Sequence, residues 1–402
     1  MKTVGIICEY NPFHEGHEYM INELRRGGAD SIICIMSGNA VQRGELAILP
    51  KNRRAAAALA SGADAVLELP YPWCAASAEF FARAGVYALA ALGVDTIAFG
   101  SECADAEALS AAARRAARLS PRSAEDRSSV GSAEEYFNAL GDIKPNPNDI
   151  LAVEYLKAVF KMKLPLDFEV IRRIGAGYND SERGEGYPSA TAVRTALLAG
   201  EGYFGLPAAS AAVLGEALAS GEAPVCIKNA EAAMLAFWRM ARDNEALSAL
   251  AECGGGVAGR LHSCAAKASS AEELFALAAT KKYTNARLRR AALFGLTGVT
   301  YADLDALPAY LNLLAVNKNE ITHNAIGRND VRQIVELIHH NRCSRFKKSI
   351  VHGLYGTHIK ICCHRFCANS IDGVCCRTIF WQYHIIALYK ILRIEIFHVP
   401  LY

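Results

Sequence analysis

Thr3-Val4-Gly5-Ile6-Ile7-Cys8-Glu9-Tyr10-Asn11-Pro12-Phe13-His14-Glu15-Gly16-His17 decides how the rest of the chain is read. Val4–Cys8 is a short β-branched apolar run of the kind that forms a buried strand. Asn11-Pro12 breaks it, and the stretch from His14 to Leu24 then reads as a helix. The alternation repeats downstream. Ser31–Met36 is a second apolar run. Lys51–Ala60 is helical by composition and stops at Ser61-Gly62. Ala65–Leu69 is a third strand, ended by Pro70. Ala75–Leu92 is a long helical pattern ended by Gly93, and Thr96–Phe99 is a fourth strand. Strands alternating with helices at this spacing predict βαβ units and a parallel sheet. Ligands on such sheets sit at the carboxyl ends of the strands. Residues 9–17, 37–45, 70–73 and 100–102 all fall there.

Further along, Ser120–Ser132 is Ser/Arg/Asp-rich and reads as a loop. Leu166–Ile174 is a candidate fifth strand, followed by Gly175-Ala176-Gly177. From about 205 to 317 the chain consists almost wholly of helix formers with no clear strand, which predicts a separate helical domain. The expected organisation is an α/β domain over 1–200, a helical domain over 201–317 and a divergent tail over 318–402.

The whole chain has 402 residues, 52% of them hydrophobic, enough for two or three domains with real cores. Charged residues at 21% and a mean hydropathy of +0.12 argue against wholesale disorder. No window approaches the ~18 uninterrupted apolar residues of a membrane span. Glu9 interrupts the N-terminal run too early for a secretory signal, so a cytoplasmic protein is expected. Its 13 cysteines then read as reduced thiols. A net charge of +2 does not by itself announce a nucleic-acid binder.

That average hides a break after Asn317. Residues 318–402 hold 8 of the 11 His and 6 of the 13 Cys but only 3 Ala. They carry twelve Lys and Arg against five Asp and Glu, whereas the preceding body is net acidic. Two readings are open. His358, Cys362, Cys363, His364, Cys367, Cys375 and Cys376 are of zinc-ligating types, although no pair has the usual zinc-finger spacing. Alternatively the switch in residue usage marks a frameshifted or misassembled translation, the reading favoured here.

The sharpest local feature is His14-Glu15-Gly16-His17. Two histidines three apart share one face of a helical turn, and a helix N-terminus offers N–H groups and a positive dipole end suited to phosphate. Gly16 allows close approach to the backbone. The alternatives are a His pair that caps or packs, and a metal site, for which two ligands are too few. No resident metal is therefore expected. A second cluster, Tyr187-Pro188-Ser189-Ala190-Thr191-Ala192-Val193-Arg194, gathers two hydroxyls and a guanidinium at a helix start. It reads either as a holder for pyrophosphate or as a capped helix with a solvated Arg.

Glu9–His17 carries the HxGH signature of the nucleotidyltransferase superfamily, and Ser189–Arg194 matches its Ser/Thr-rich partner motif. The chain resembles more closely the bacterial tRNA(Met) cytidine acetate ligase family. The segments that carry this likeness are EYNPFHEGH (9–17), MSGNAVQRGE (36–45), GADAVLELP (62–70), FGSE (99–102), PNDILAVEY (147–155), RIGAGY (173–178) and Ser189–Arg194. They cover roughly residues 1–317. The resemblance implies a Rossmann-like parallel-sheet nucleotidyltransferase domain followed by a mostly α-helical domain. It implies activation of acetate by ATP through acetyl-adenylate, with release of pyrophosphate. The acetyl group then passes to N4 of the wobble cytidine of elongator tRNA(Met). No DNA and no membrane is implied as a partner.

On the same resemblance, ATP binding maps onto Ile7, Cys8, Glu9, Tyr10, Asn11, Pro12, Phe13, His14, Glu15, Gly16, His17, Glu18, Tyr19 and Met20. Gly100, Asn148, Arg173, Ile174, Ser189 and Thr191 join them. Attack of a carboxylate on a phosphate is a reaction between anions, so positioning and charge neutralisation are required. His14, His17, Arg173 and Arg194 are assigned that work, with Mg²⁺ bridging the phosphates. Ser37, Gly38 and Gln42 are assigned to an acetate pocket. Lys281, Lys282, Tyr283, Arg287, Arg289 and Arg290 form a basic run with one aromatic. They read as tRNA contacts, or else as a solvated helix face. The competing functions are an adenylyltransferase acting on a cofactor precursor and a non-enzymatic RNA-binding protein.

Overall fold

A computed structural model of the chain describes residues 1–119, 136–174 apart from 137, 142 and 145, 187–241 and 244–317. The chain divides into Met1–Ile334 and Val335–Tyr402, and the second unit lies outside the described residues. So do the expected loop at 120–132, Gly175-Ala176-Gly177, and the 318–402 tail with both of its readings.

The apolar runs form the predicted sheet. Strands β1 (Thr3–Cys8), β2 (Ser31–Ser37), β5 (Ala65–Leu69), β6 (Thr96–Ser101) and β7 (Asp167–Arg172) are parallel. The short hairpin strands β3 (Ala40–Val41) and β4 (Glu45–Leu46) lie between β2 and β5 in sequence. In the six-stranded sheet the order is β7-β6-β1-β2-β5-β8, where β8 is Asn312–Val316. Every residue of β2 and β5 is buried, as expected for central strands covered on both faces. Helices α1 (Glu15–Arg26), α2 (Lys51–Ala60), α3 (Ala78–Ala91), α4 (Ala106–Arg118) and α5 (Pro147–Met162) accompany the strands. Ile32, Ile35 and Met36 are wholly buried in the core, each stabilising the fold by about 1.5–3 kcal/mol.

Packing continues across residue 200. α6 (Ala190–Ala199) and α7 (Ala208–Ala219) share a small core, in which Val193, Leu197, Leu214 and Ala217 meet Ile48 and Leu49. β8, which the sequence reading missed, runs antiparallel along β5, pairing Ala65 with Val316 and Glu68 with Asn312. Between them, α8 (Glu231–Met240), α9 (Asn244–Ser248), α10 (Val257–Ala265), α11 (Ala271–Ala278), α12 (Asn285–Thr297) and α13 (Tyr301–Asp305) form the expected helical region. Its own core gathers around the fully buried Trp238.

One residue of the Ala-rich α2 ties the strand ends together. Arg54 is fully buried. Its Nε donates to the Leu49 carbonyl at 3.0 Å, Nη1 to Glu9 O at 2.5 Å, and Nη2 to Ser37 O at 3.1 Å and to Gly38 O. Burial lowers its pKa to about 10, against the pull of Cys8, Glu9, Cys74 and Glu68, so the guanidinium stays charged at neutral pH. It thereby joins the exits of β1 and β2 to the approach to α2. Arg54→Met leaves four carbonyls short of a donor, and a loss of about 3 kcal/mol or more in urea unfolding is expected. Arg54→Lys, which lacks the planar fork, recovers less than half of it.

Candidate active site

The site is built at the carboxyl end of β1. Tyr10 leaves the strand with φ +46, a left-handed conformation costly for a residue with a side chain. Its ring is held edge-on to Phe13 and to His17, each at 4.8 Å, and its hydroxyl lies 3.4 Å from Cys34 Sγ. Asn11 and Phe13 are buried. The loop is fixed from three directions: Asn11 Oδ1 accepts from Ile48 N at 2.8 Å, Phe13 O from Ser210 Oγ at 2.7 Å, and Asn11 O from Arg194 Nη1 at 2.8 Å.

His14 and His17 cap α1 reciprocally. The amide of Gly16 donates to His14 Nδ1 at 3.1 Å, and the amide of His14 donates to His17 Nδ1 at 3.2 Å. The rings lie 3.7 Å apart, tilted by 31°. Gly16 is required by this arrangement, because a Cβ there would lie 2.9 Å from His14 Cε1. Glycine thus admits the His14 ring over the first turn, where the sequence reading had it admit a ligand.

Two consequences alter the sequence expectation. First, the backbone donors of the first turn are already occupied. Glu15 N donates to Gly205 O at 3.0 Å, Gly16 N to His14 Nδ1, and the amides of His17 and Glu18 to His14 O at 2.8 and 3.2 Å. Second, both rings are neutral. Burial, with Arg173 and Arg194 nearby, holds His14 down to about 3. Burial, with His14 and Arg173, holds His17 well below the usual histidine value. Since both Nδ1 atoms accept, the proton of each ring resides on Nε2. The histidines are therefore placed to offer two N–H donors, and the charged groups beside them are Arg173 and Arg194.

Arg194 and Arg173 stand on either side. Ser189 Oγ caps α6 by accepting from Ala192 N at 3.1 Å, the capping alternative of the sequence reading. Thr191 Oγ1 accepts from Arg194 Nη2 at 3.3 Å, and Glu45 Oε2 lies 3.9 Å from the same nitrogen. Arg173 follows β7 and leans over Gly100, whose built Cβ would be 3.2 Å from Arg173 Cγ. Its Nε is 3.8 Å from Glu102 Oε1, and Asn148 Nδ2 donates to that same oxygen at 2.5 Å. Ile174 is half exposed.

The remaining expected residues fall into two groups. Cys8, Tyr10 and Phe13 are buried, and Ile7, Glu9 and Met20 are half-buried. Cys8 Sγ donates to Ile35 O, and Met20 packs on the core. Burial raises the Glu9 carboxyl above its usual range, against the Gln42 amide, which donates to it at 2.8 Å, and the charges of Arg194 and Arg43. Tyr19 faces Tyr187 at 5.6 Å. Around the carboxyl end of β2, Ser37 Oγ and Asn11 Nδ2 are buried without hydrogen-bond partners among the described residues. Gly38 lies against Glu68, which Lys51 Nζ approaches at 2.6 Å.

The basic run is split by the fold. Lys281 and Lys282 are exposed. Tyr283 is buried, its hydroxyl donating to Gly255 O, so it is turned into the helical core. Arg287 and Arg290 hold Glu252 from two sides, at 3.6 and 2.9 Å. Arg289 pairs with Glu45. Gly44 (φ +73) packs directly on the α12 backbone at Arg289–Arg290. The QRGE turn and the RLRR helix are thus one contact. Asp149, which the sequence reading passed over, is fully buried. It accepts from Ser101 Oγ, Glu102 N, Cys103 N and Asn146 Nδ2 at 2.5–3.2 Å.

The family model described as HIGH Nucleotidyl Transferase matches residues 1–353. Over 337 residues the chain is 35% identical to the tRNA(Met) cytidine acetate ligase of Listeria monocytogenes, covering 79% of this chain and 84% of that protein. The protein of the same name from Syntrophotalea carbinolica is 36% identical over 335 residues, covering 78% and 79%. The fold is similar to crystal structures of Thermotoga maritima TmcAL. The apo form gives a TM-score of 0.71 at 29% identity, covering 85% of this chain and 84% of that one. A form bound with alpha-thio ATP gives 0.70 at 29% identity, covering 84% and 83%. The chain belongs to the HIGH nucleotidyl transferase family and, within it, to the family of tRNA(Met) cytidine acetate ligases.

Neutral burial of His14 and His17 makes stability depend on pH. The unfolded chain binds protons at these rings near pH 6.5, while folded His14 does so only near 3. Between those values the unfolded state holds more protons, so stability falls as pH drops, by about 1.4 kcal/mol per pH unit for His14, and His17 acts in the same direction. Asn also caps helices. Denaturant midpoints measured from pH 7 to 4.5 are expected to fall more steeply for the wild type than for His14→Asn.

Proposed function

We propose that this chain joins acetate to N4 of the wobble cytidine of elongator tRNA(Met), in the cytoplasm, in two steps driven by ATP. In the first, an acetate oxygen attacks the α-phosphorus. The bond to the bridging oxygen of the β-phosphate breaks and pyrophosphate leaves. In the second, the cytidine N4 attacks the acetyl carbonyl, AMP departs with the bonding pair, and N4 loses a proton. The observation that carries the reading is the pair of histidines at the carboxyl end of β1, each with Nδ1 taken by a backbone amide and with Arg173 and Arg194 nearby. It occurs in a chain of this family.

In this reading the Nε2–H groups of His14 and His17 donate to phosphate oxygens. Arg194 meets the leaving pyrophosphate and Arg173 the nucleotide on the β6 side. The donors are fixed by their caps before substrate arrives, so little reorganisation is needed as charge moves. The acetate pocket is assigned to Ser37, Gly38 and Gln42, supported by the unpartnered Ser37 hydroxyl. Among the described residues no cluster of three His, Cys, Asp or Glu is placed to hold a metal. Mg²⁺ would arrive with ATP, bridging its phosphates. Among the described residues no helix is long and apolar enough to cross a membrane. The exposed Lys281 and Lys282 are the tRNA phosphate contacts, with Arg289 beside them.

Acetate-dependent ATP–pyrophosphate exchange tests the first step. His14→Ala and Arg194→Ala are each expected to lower it about 10²–10³-fold. Exchange that needs a different acid would instead support the cofactor-precursor reading. For the second step, Lys281→Ala combined with Lys282→Ala is expected to weaken tRNA binding and flatten its salt dependence by about two phosphate contacts. Pyrophosphate exchange in that double variant is expected to be unchanged.

A further inference from the structure

Glu102 holds a buried acceptor that the protein leaves unused. The residue follows β6 directly. Its amide is fixed by Asp149 Oδ1 at 3.0 Å, and Asp149 also fixes Ser101 Oγ and Cys103 N. The side chain is therefore presented from a rigid turn. Oε1 accepts from Asn148 at 2.5 Å and faces Arg173 at 3.8 Å. Oε2 is buried without a hydrogen-bond partner among the described residues. A buried carboxylate oxygen without a donor is costly, by about 1–3 kcal/mol or more, and is retained where a ligand supplies the donor.

On the ATP reading proposed above, the nucleotide offers hydrogen-bond donors in two places, the ribose hydroxyls and the adenine amine. Topology separates them. β6 is the immediate neighbour of β1, with Ala98 opposite Ile6, and adjacent strands lie about 4.8 Å apart. Phosphate at His14 and His17 sits at the end of β1. The sugar is bonded directly to the α-phosphate, so it is the part of the nucleotide that reaches one strand over. The adenine amine lies a full sugar and base further away. We infer that Glu102 Oε2 accepts from a ribose hydroxyl of the nucleotide, making Glu102 the residue that selects ribonucleotide over deoxyribonucleotide. Asn148 and Arg173 then act partly through it, holding the carboxylate in the orientation that leaves Oε2 toward the sugar.

The test compares ATP, 2′-deoxy-ATP, 3′-deoxy-ATP and ITP in acetate-dependent pyrophosphate exchange, and by calorimetric binding. The proteins are the full-length wild type, Glu102→Gln and Glu102→Ala. The wild type is expected to prefer ATP over at least one deoxy analogue by about tenfold or more in kcat/KM and in affinity, because a site built around a hydroxyl rejects its absence. In both variants the preference is expected to fall to about twofold or less, through loss of ATP affinity with little change for the deoxy analogue. Wild-type protein that takes both deoxy analogues as well as ATP would overturn the inference, and needs no variant to show it. So would variants that keep the preference, or that lose discrimination between ATP and ITP instead. Absence of exchange with any acid would count against the adenylation reading alone, since the calorimetric comparison still decides the role of Glu102.

Discussion

A buried guanidinium bonded only to carbonyls underlies the site. Arg54 reaches Glu9 O, Ser37 O, Gly38 O and Leu49 O from the middle of α2. A parallel sheet leaves the carbonyls at its strand exits without ladder partners, and buried carbonyls need donors. One side chain with several N–H groups in a fixed plane meets that need for two adjacent strands at once. Several parts of the candidate site follow those exits. The Tyr10–Phe13 loop and the histidine cap follow β1, the hydroxyl of Ser37 ends β2, and the 42–45 turn is tied back to Glu9.

From that frame the site divides its labour. Helix α1 has already filled its first-turn amides with its own carbonyl, its own histidine and Gly205. It presents imidazole N–H donors in their place. Charge comes from Arg173 and Arg194, and the same arginines help to keep the imidazoles neutral. In the proposed reaction the neutral donors would orient phosphate while the guanidiniums carry the electrostatics. Glu45 faces Arg194 with one oxygen and binds Arg289 of α12 with the other. The helical region therefore reaches Arg194 through one carboxylate.

Much of this was legible in the sequence. Lys51–Ala60 and Ala65–Leu69 have the bounds read from composition and punctuation, and the other early strands differ by one or two residues. Those elements are decided by local apolar runs and their breakers, which a sequence displays. β8 was not legible, because Asn312–Val316 is a strand only by pairing with Ala65–Glu68, almost 250 residues earlier. The meeting of Gly44 with Arg289–Arg290 is equally non-local. Arg54 was hidden in an alanine run, where an arginine normally marks a solvated face. The sequence could not show that Tyr283 and Arg287 contact Gly255 and Glu252. The histidines were legible in the sequence but their surroundings were not, and burial, which a sequence does not display, disfavours their protonated forms.

The neutral, Nε2-protonated state of His14 and His17 is the point on which the account of the site turns. Nitrogen-15 NMR of the imidazoles reads it directly in the intact protein. The account predicts two rings that stay neutral with the proton on Nε2 from pH 8 to 5, and whose Nε2 resonances move on ATP addition while Nδ1 resonances hold. Imidazoles that titrate near 6.5, or that carry the proton on Nδ1, would contradict it.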